Sequence, residues 1–141
     1  MCLKIIGEGP DYRRLKQLSD EHIEFLGYIS EEKKFQILSK CAGLIHTQKE
    51  DFGIVPIEAM ALGKPVIAFK AGGVMDTVVE DKTGIMFDEQ TPASLISALE
   101  DFEEIGFDKN DCRRQAMQFD TTAFVKKIKD VINRVYLETG S

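Results

Sequence analysis

Tryptophan is absent from this 141-residue chain, histidine occurs only twice and cysteine only three times. Cys2, Cys41 and Cys112 contain no Cys-x-x-Cys pair, and only His22 and His46 are available to complete a metal site. That scarcity excludes a structural zinc and a disulfide framework, and leaves the reduced thiols of a cytoplasmic protein as the expectation. No apolar run approaches the roughly 20 residues needed to span a bilayer, and the stretch from Met1 to Ile6 is too short for a signal peptide. Basic residues are also in deficit, with 18 Lys and Arg against 24 Asp and Glu and a formal net charge of −6. No basic stripe interleaved with aromatics occurs, so a general nucleic-acid surface is excluded, although a bound nucleotide is not. Linkers, repeats and low-complexity stretches are lacking, which predicts one domain over residues 1–141.

What is present is an alternation of short apolar runs with helical patterns. Leu3-Lys4-Ile5-Ile6, Ile23-Glu24-Phe25-Leu26, Ala42 to His46, Pro65 to Phe69 and Gly84-Ile85-Met86-Phe87 read as strands. The third and fourth are nearly continuous in apolar residues, as strands covered on both faces are. Helices are expected from Tyr12 to Leu18, after the Ser30-Glu31-Glu32 cap, from Val74 to Val79, and after Pro92. Phe124, Val125, Ile128, Val131, Ile132 and Val135 form one apolar stripe on a long terminal helix, available to its own domain or to an anionic membrane. Strand and helix in alternation predict an α/β fold, a Rossmann-like parallel sheet with helices on both faces. Ligands of such sheets sit beyond the carboxyl ends of the strands, where the Glu50 and Gly72-Gly73 loops fall.

The densest chemistry lies between Lys49 and Gly73. Pro56 fixes φ near the helical value and marks the first turn of a helix that Gly63 ends. The N–H groups of Ile54 and Val55, just before Pro56, then face outward with the positive end of the helix dipole behind them, a site for a diphosphate. Glu50 can accept from sugar hydroxyls and Glu58 from a vicinal diol. Each glutamate also has an ordinary reading, since an acid near the first helical turn complements the dipole by roughly 0.3–1 kcal/mol without any ligand. Gly7-x-Gly9 is a tight strand-to-helix turn or a ligand contact. Gly72-Gly73 allows close backbone approach to a sugar or phosphate, or supplies a left-handed turn before the next helix. His46, ending its strand with no acid at a fixed spacing, reads as structural.

These blocks, Gly7-Glu8-Gly9-Pro10, Phe25-Leu26-Gly27-Tyr28-Ile29, the run from Glu50-Asp51-Phe52-Gly53 to Val66-Ile67-Ala68, Gly72-Gly73 and Thr83-Gly84, together resemble the nucleotide-binding half of retaining glycosyltransferases. The resemblance is to the GT-B sugar transferases of group 1, or family four, and within them to surface-polysaccharide mannosyltransferases. It implies one half of a GT-B fold whose first strand is missing. Glu50, as the catalytic residue, would hold the transferred sugar together with Phe52 and Gly53, Ile54 and Val55 would hold the diphosphate, Glu58 the ribose, and Tyr28 and Ile29 the base. Gly7, Gly9, Gly72 and Gly73 are further loop contacts. The implied donor is a nucleotide-diphosphate sugar, GDP-mannose before a UDP- or ADP-sugar. The acceptor is a glycan or a lipid-linked group, reached in the cytoplasm or peripherally at the inner membrane face. The resemblance further implies transfer that retains the anomeric configuration and needs no metal or other cofactor, in keeping with the absence of an Asp-x-Asp pair.

The sequence departs from the family in lacking the N-terminal acceptor domain and the strand and loop that bring an arginine and a lysine to the diphosphate. Lys49 and Lys64 lie near the site but at other motif positions. The expected partner is therefore a separate N-terminal glycosyltransferase domain. The alternative is a truncated, non-catalytic remnant or a sugar-nucleotide-binding or interaction module. A third reading, an epimerase of the related GT-B type, is disfavoured by the Glu50 loop.

Overall fold

The computed structural model describes residues 2–139, so residues 1, 140 and 141 of the expected domain span lie outside the described residues. The chain forms two compact units, one running to Ile37 and the other beginning at Leu38. Among the described residues all strands pair in parallel, as their alternation with helices predicts, in one sheet of two strands and another of three.

In the first unit β1 (Leu3–Ile6) pairs with β2 (Ile23–Gly27), with Leu3 opposite Ile23 and Ile5 opposite Phe25. The intervening α1 (Tyr12–Leu18) sets the Tyr12 ring edge-on to Phe25 at 5.4 Å. An ion pair between Lys4 and Glu24 links the strands on an exposed face. The next helix, α2 (Glu31–Lys40), begins in this unit and ends in the second, and it starts as its sequence predicts: the Ser30 hydroxyl accepts from the Lys33 N–H at 3.2 Å, and Glu31 and Glu32 occupy the first turn.

The second unit carries the three-stranded sheet, in the order β3 (Leu44–His46), β4 (Val66–Phe69), β5 (Gly84–Phe87). Helix α3 (Ile54–Ala61) connects β3 to β4, and the short α4 (Val74–Thr77) lies between β4 and β5. Three helices follow, α5 (Pro92–Glu104), α6 (Lys109–Met117) and α7 (Thr121–Thr139). Alternation along β4 explains why helices cover both faces. Val66 and Ala68 pack with Ala59 and Met60 of α3, Val74 of α4, and Cys112 and Ala116 of α6. Ile67 points the other way, to Ile85, Phe87 and Ala98, with Phe69 and Phe102 alongside. Helix α5 is started by Pro92 and by Thr91, whose side chain accepts from the Ser94 N–H at 3.2 Å. The stripe on α7 is left largely open, with Phe124 62% and Ile132 59% exposed.

Candidate functional site

The site is organised by the start of α3. Gly53 precedes it in the left-handed region at φ 76°, and no side chain caps the helix. A helix leaves its first N–H groups without intrahelical acceptors, so those of Ile54 and Val55 are offered outward at the positive end of the dipole. Pro56, third in the helix and buried, has no N–H to satisfy. The arrangement is chemically suited to an anion with several oxygens, such as a diphosphate.

The loop between β3 and α3 is fixed to the loop after β4. Glu50 and Gly72 form an isolated parallel bridge, and the Gly73 N–H donates to the Glu50 carbonyl at 2.8 Å. Gly72 is left-handed at φ 71°, and a Cβ there would overlap the Glu50 carbonyl oxygen. A Cβ on Gly73 would likewise overlap the Phe52 carbonyl. Of the two readings of this pair, the left-handed turn is present, and the close approach is made by the Glu50–Phe52 backbone. The same loop is held at its beginning by Gln90, whose Nε2 donates to the Thr47 carbonyl at 2.8 Å. Glu50, Phe52, Gly53, Ile54, Val55, Gly72 and Gly73 are thus brought into one cluster.

A cavity of about 550 Å³ opens beside α3, lined by Phe52, Ile54 and Glu58 together with Arg113, Met117 and Phe119. Its walls are chiefly apolar, and the Phe52 ring stands edge-on to Phe119 at 6.2 Å. Half-buried Glu58 supplies a carboxylate and Arg113 a guanidinium to the same space. Sequence reasoning assigned no role to Arg113. Helix α6 buries only Cys112 and Ala116, two small residues that leave a weak helical signal.

His46 closes β3 and is only 7% exposed, and its Nε2 has no hydrogen-bond partner among the described residues. Burial holds the imidazole below the usual histidine pKa, against the opposing pull of the Glu50 carboxylate. Tyr28, Ile29, Gly7 and Gly9 belong to the first unit. There Tyr28 is 79% exposed just after β2, and the Gly7 N–H donates to the Gly27 carbonyl at 2.8 Å. Gly9 sits in the turn before α1, with nothing packed where a Cβ would stand. No group of three or more His, Cys, Asp and Glu arranged to hold a metal occurs among the described residues, and no described helix is long and apolar enough to cross a membrane.

The sequence pattern of the glycosyl transferases group 1 matches residues 1–119. An uncharacterised glycosyltransferase of Methanocaldococcus jannaschii is 33% identical over 97 residues, an alignment covering 65% of this chain and 28% of that protein. The alpha-1,3/1,6-mannosyltransferase of Mus musculus is 36% identical over 97 residues, covering 64% and 23%. Among solved structures, Anabaena HepE in complex with UDP-glucose superposes with a TM-score of 0.72 at 26% identity, over 94% of this chain and 41% of that one. An apo lipopolysaccharide outer core galactosyltransferase shares the fold, with a TM-score of 0.81 at 18% identity over 94% and 40%. The chain therefore spans about a quarter of the length of these curated relatives.

Proposed function

Because the chain belongs to the group 1 glycosyltransferases, we propose that it is the donor-binding part of an enzyme that moves a hexose from a nucleotide-diphosphate sugar to a hydroxyl of a glycan or lipid-linked acceptor. The observation that carries this reading is the start of α3, which no side chain caps, with Glu50 on the loop before it and Glu58 within it.

In this reading Ile54 and Val55 donate to the diphosphate, and their fixed dipoles stabilise the negative charge that builds on it as the glycosidic bond breaks. Glu50 accepts from hydroxyls of the sugar, beside the backbone of Phe52 and Gly53, and Glu58 accepts from the ribose. Tyr28 and Ile29 take the base. Gly72 and Gly73 act by holding Glu50, and Gly7 and Gly9 remain candidate loop contacts. The acceptor oxygen bonds to the anomeric carbon with retained configuration, the nucleoside diphosphate leaves, and the acceptor proton passes to the departing phosphate. Transfer is proposed to need no metal.

Mannose is favoured as the sugar because several relatives are mannosyltransferases, and GDP-mannose is then the donor. The neighbour in complex with UDP-glucose keeps a uridine donor in the comparison. Acceptor recognition is assigned to an N-terminal glycosyltransferase domain working with this one. The reaction is placed in the cytoplasm, peripheral to the inner membrane face when the acceptor is lipid-linked. Calorimetric titration with GDP-mannose, UDP-glucose and ADP-glucose tests the proposal. Saturable heat for one of them supports it, and no heat at millimolar ligand, with or without a candidate N-terminal partner, refutes it. Binding without transfer in the reconstituted pair would instead favour a sugar-nucleotide-binding module.

A further inference from the structure

His46 is the buried polar group that the proposed chemistry leaves without a task. The register places it opposite Ala68, so its side chain points to the sheet face that α3, α4 and α6 cover. It is 93% shielded (7% exposed), yet its Nε2 finds no partner among the described residues. Folded proteins rarely leave such a group unsatisfied, and a partner that arrives in a functional state is one way to supply what is missing. A structural imidazole would be expected to spend that nitrogen on a neighbouring carbonyl.

Two features point to the partner. Glu50 follows His46 by four residues, on the loop that β3 feeds directly, and its carboxylate is the charged group whose field reaches the imidazole. The Glu50 backbone is already fixed, by the bridge to Gly72 and the 2.8 Å bond from Gly73, whereas no hydrogen bond or ion pair holds its side chain among the described residues. Burial keeps His46 neutral near neutral pH, so one ring nitrogen carries a proton to donate.

We infer that His46 is a positioning residue, whose Nε2–H donates to the Glu50 carboxylate when the donor is bound and so fixes the group that receives the sugar. This rests on the donor-binding reading above. Bound nucleotide sugar draws the Glu50 side chain into place, the His46 nitrogen gains its missing acceptor, and the second carboxylate oxygen stays free for a sugar hydroxyl. The role is confined to the sugar end of the ligand, so a nucleoside diphosphate without sugar does not engage it.

The test compares GDP-mannose with GDP by calorimetry, and UDP-glucose with UDP in parallel. In His46→Phe the sugar-nucleotide affinity should fall on the order of tenfold while that for the nucleoside diphosphate holds. His46→Gln, which restores an amide donor at similar reach, should recover most of the loss. In a Glu50→Ala background, His46→Phe should add nothing, because the acceptor is already gone. Nitrogen-15 spectra of the wild-type imidazole supply a readout independent of any variant's folding, and Nε2 should shift with the sugar nucleotide but not with the diphosphate. If the wild-type chain binds neither ligand, the donor-binding reading falls and takes this one with it. If it binds both while His46→Phe loses both equally or neither, or the imidazole signal ignores the sugar, only the role of His46 is overturned.

Discussion

The amide of Gly73 donates to the carbonyl of Glu50 at 2.8 Å, tying the loop after β4 to the loop that leads into α3. The proposed sugar-binding carboxylate is therefore placed by a contact between two backbones, which tolerates no side chain on one of them. Gly73 itself has an ordinary helical φ of −61°, so its requirement for glycine comes from the Phe52 carbonyl packed against it. Gly73→Ala should cost about 1–3 kcal/mol through overpacking and weaken sugar-nucleotide binding by displacing the Glu50 loop. Urea unfolding and calorimetry check both, and an unchanged midpoint with unchanged affinity would show that the clamp is dispensable.

Met60 lies at the centre of the packing that supports α3, fully buried between the helix and the sheet. Met60→Ala should destabilise the protein by about 2–5 kcal/mol, from lost burial and the residual cavity. The shift in urea midpoint measures it. A loss under 1 kcal/mol, to order of magnitude, would mean that the core closes around the gap.

The depressed pKa of His46 has a signed consequence for stability. The unfolded chain titrates this group near the ordinary value of about 6.5, and the folded chain lower because burial disfavours the imidazolium. Between the two values the unfolded state binds more protons, so its contribution to stability is complete above about pH 6.5 and is lost as pH falls toward the folded value. Unfolding midpoints should decline from pH 7.5 toward 5.5, and the decline should be shallower in His46→Phe, which cannot charge. An identical slope in the variant would assign the acid sensitivity to other groups.

The parallel α/β architecture was legible because the strands announce themselves. Val66-Ile67-Ala68-Phe69 is apolar throughout, and the structure uses both of its faces. Helix α3 was legible from Pro56 and Gly63, which bracket it, although it starts two residues before the proline, at Ile54. Less visible was anything that depends on contact between distant segments. The double glycine admitted two local readings, and only the folded chain shows that the Glu50–Phe52 backbone occupies the space a Cβ would take. Arg113 carries little signal in the sequence, because α6 buries only the small residues Cys112 and Ala116. His46 read as an ordinary core residue, since a sequence cannot show that a ring nitrogen is buried without an acceptor.

In the proposed site Glu50 serves the sugar and Glu58 the ribose of one bound nucleotide sugar, on either side of the α3 N-terminus. Calorimetry of GDP-mannose and GDP with the wild-type chain, Glu50→Ala and Glu58→Ala tests it directly. Glu50→Ala should weaken GDP-mannose while sparing GDP, and Glu58→Ala should weaken both alike. Equal affinities in all three proteins, or a Glu50→Ala loss shared equally by GDP, would contradict it.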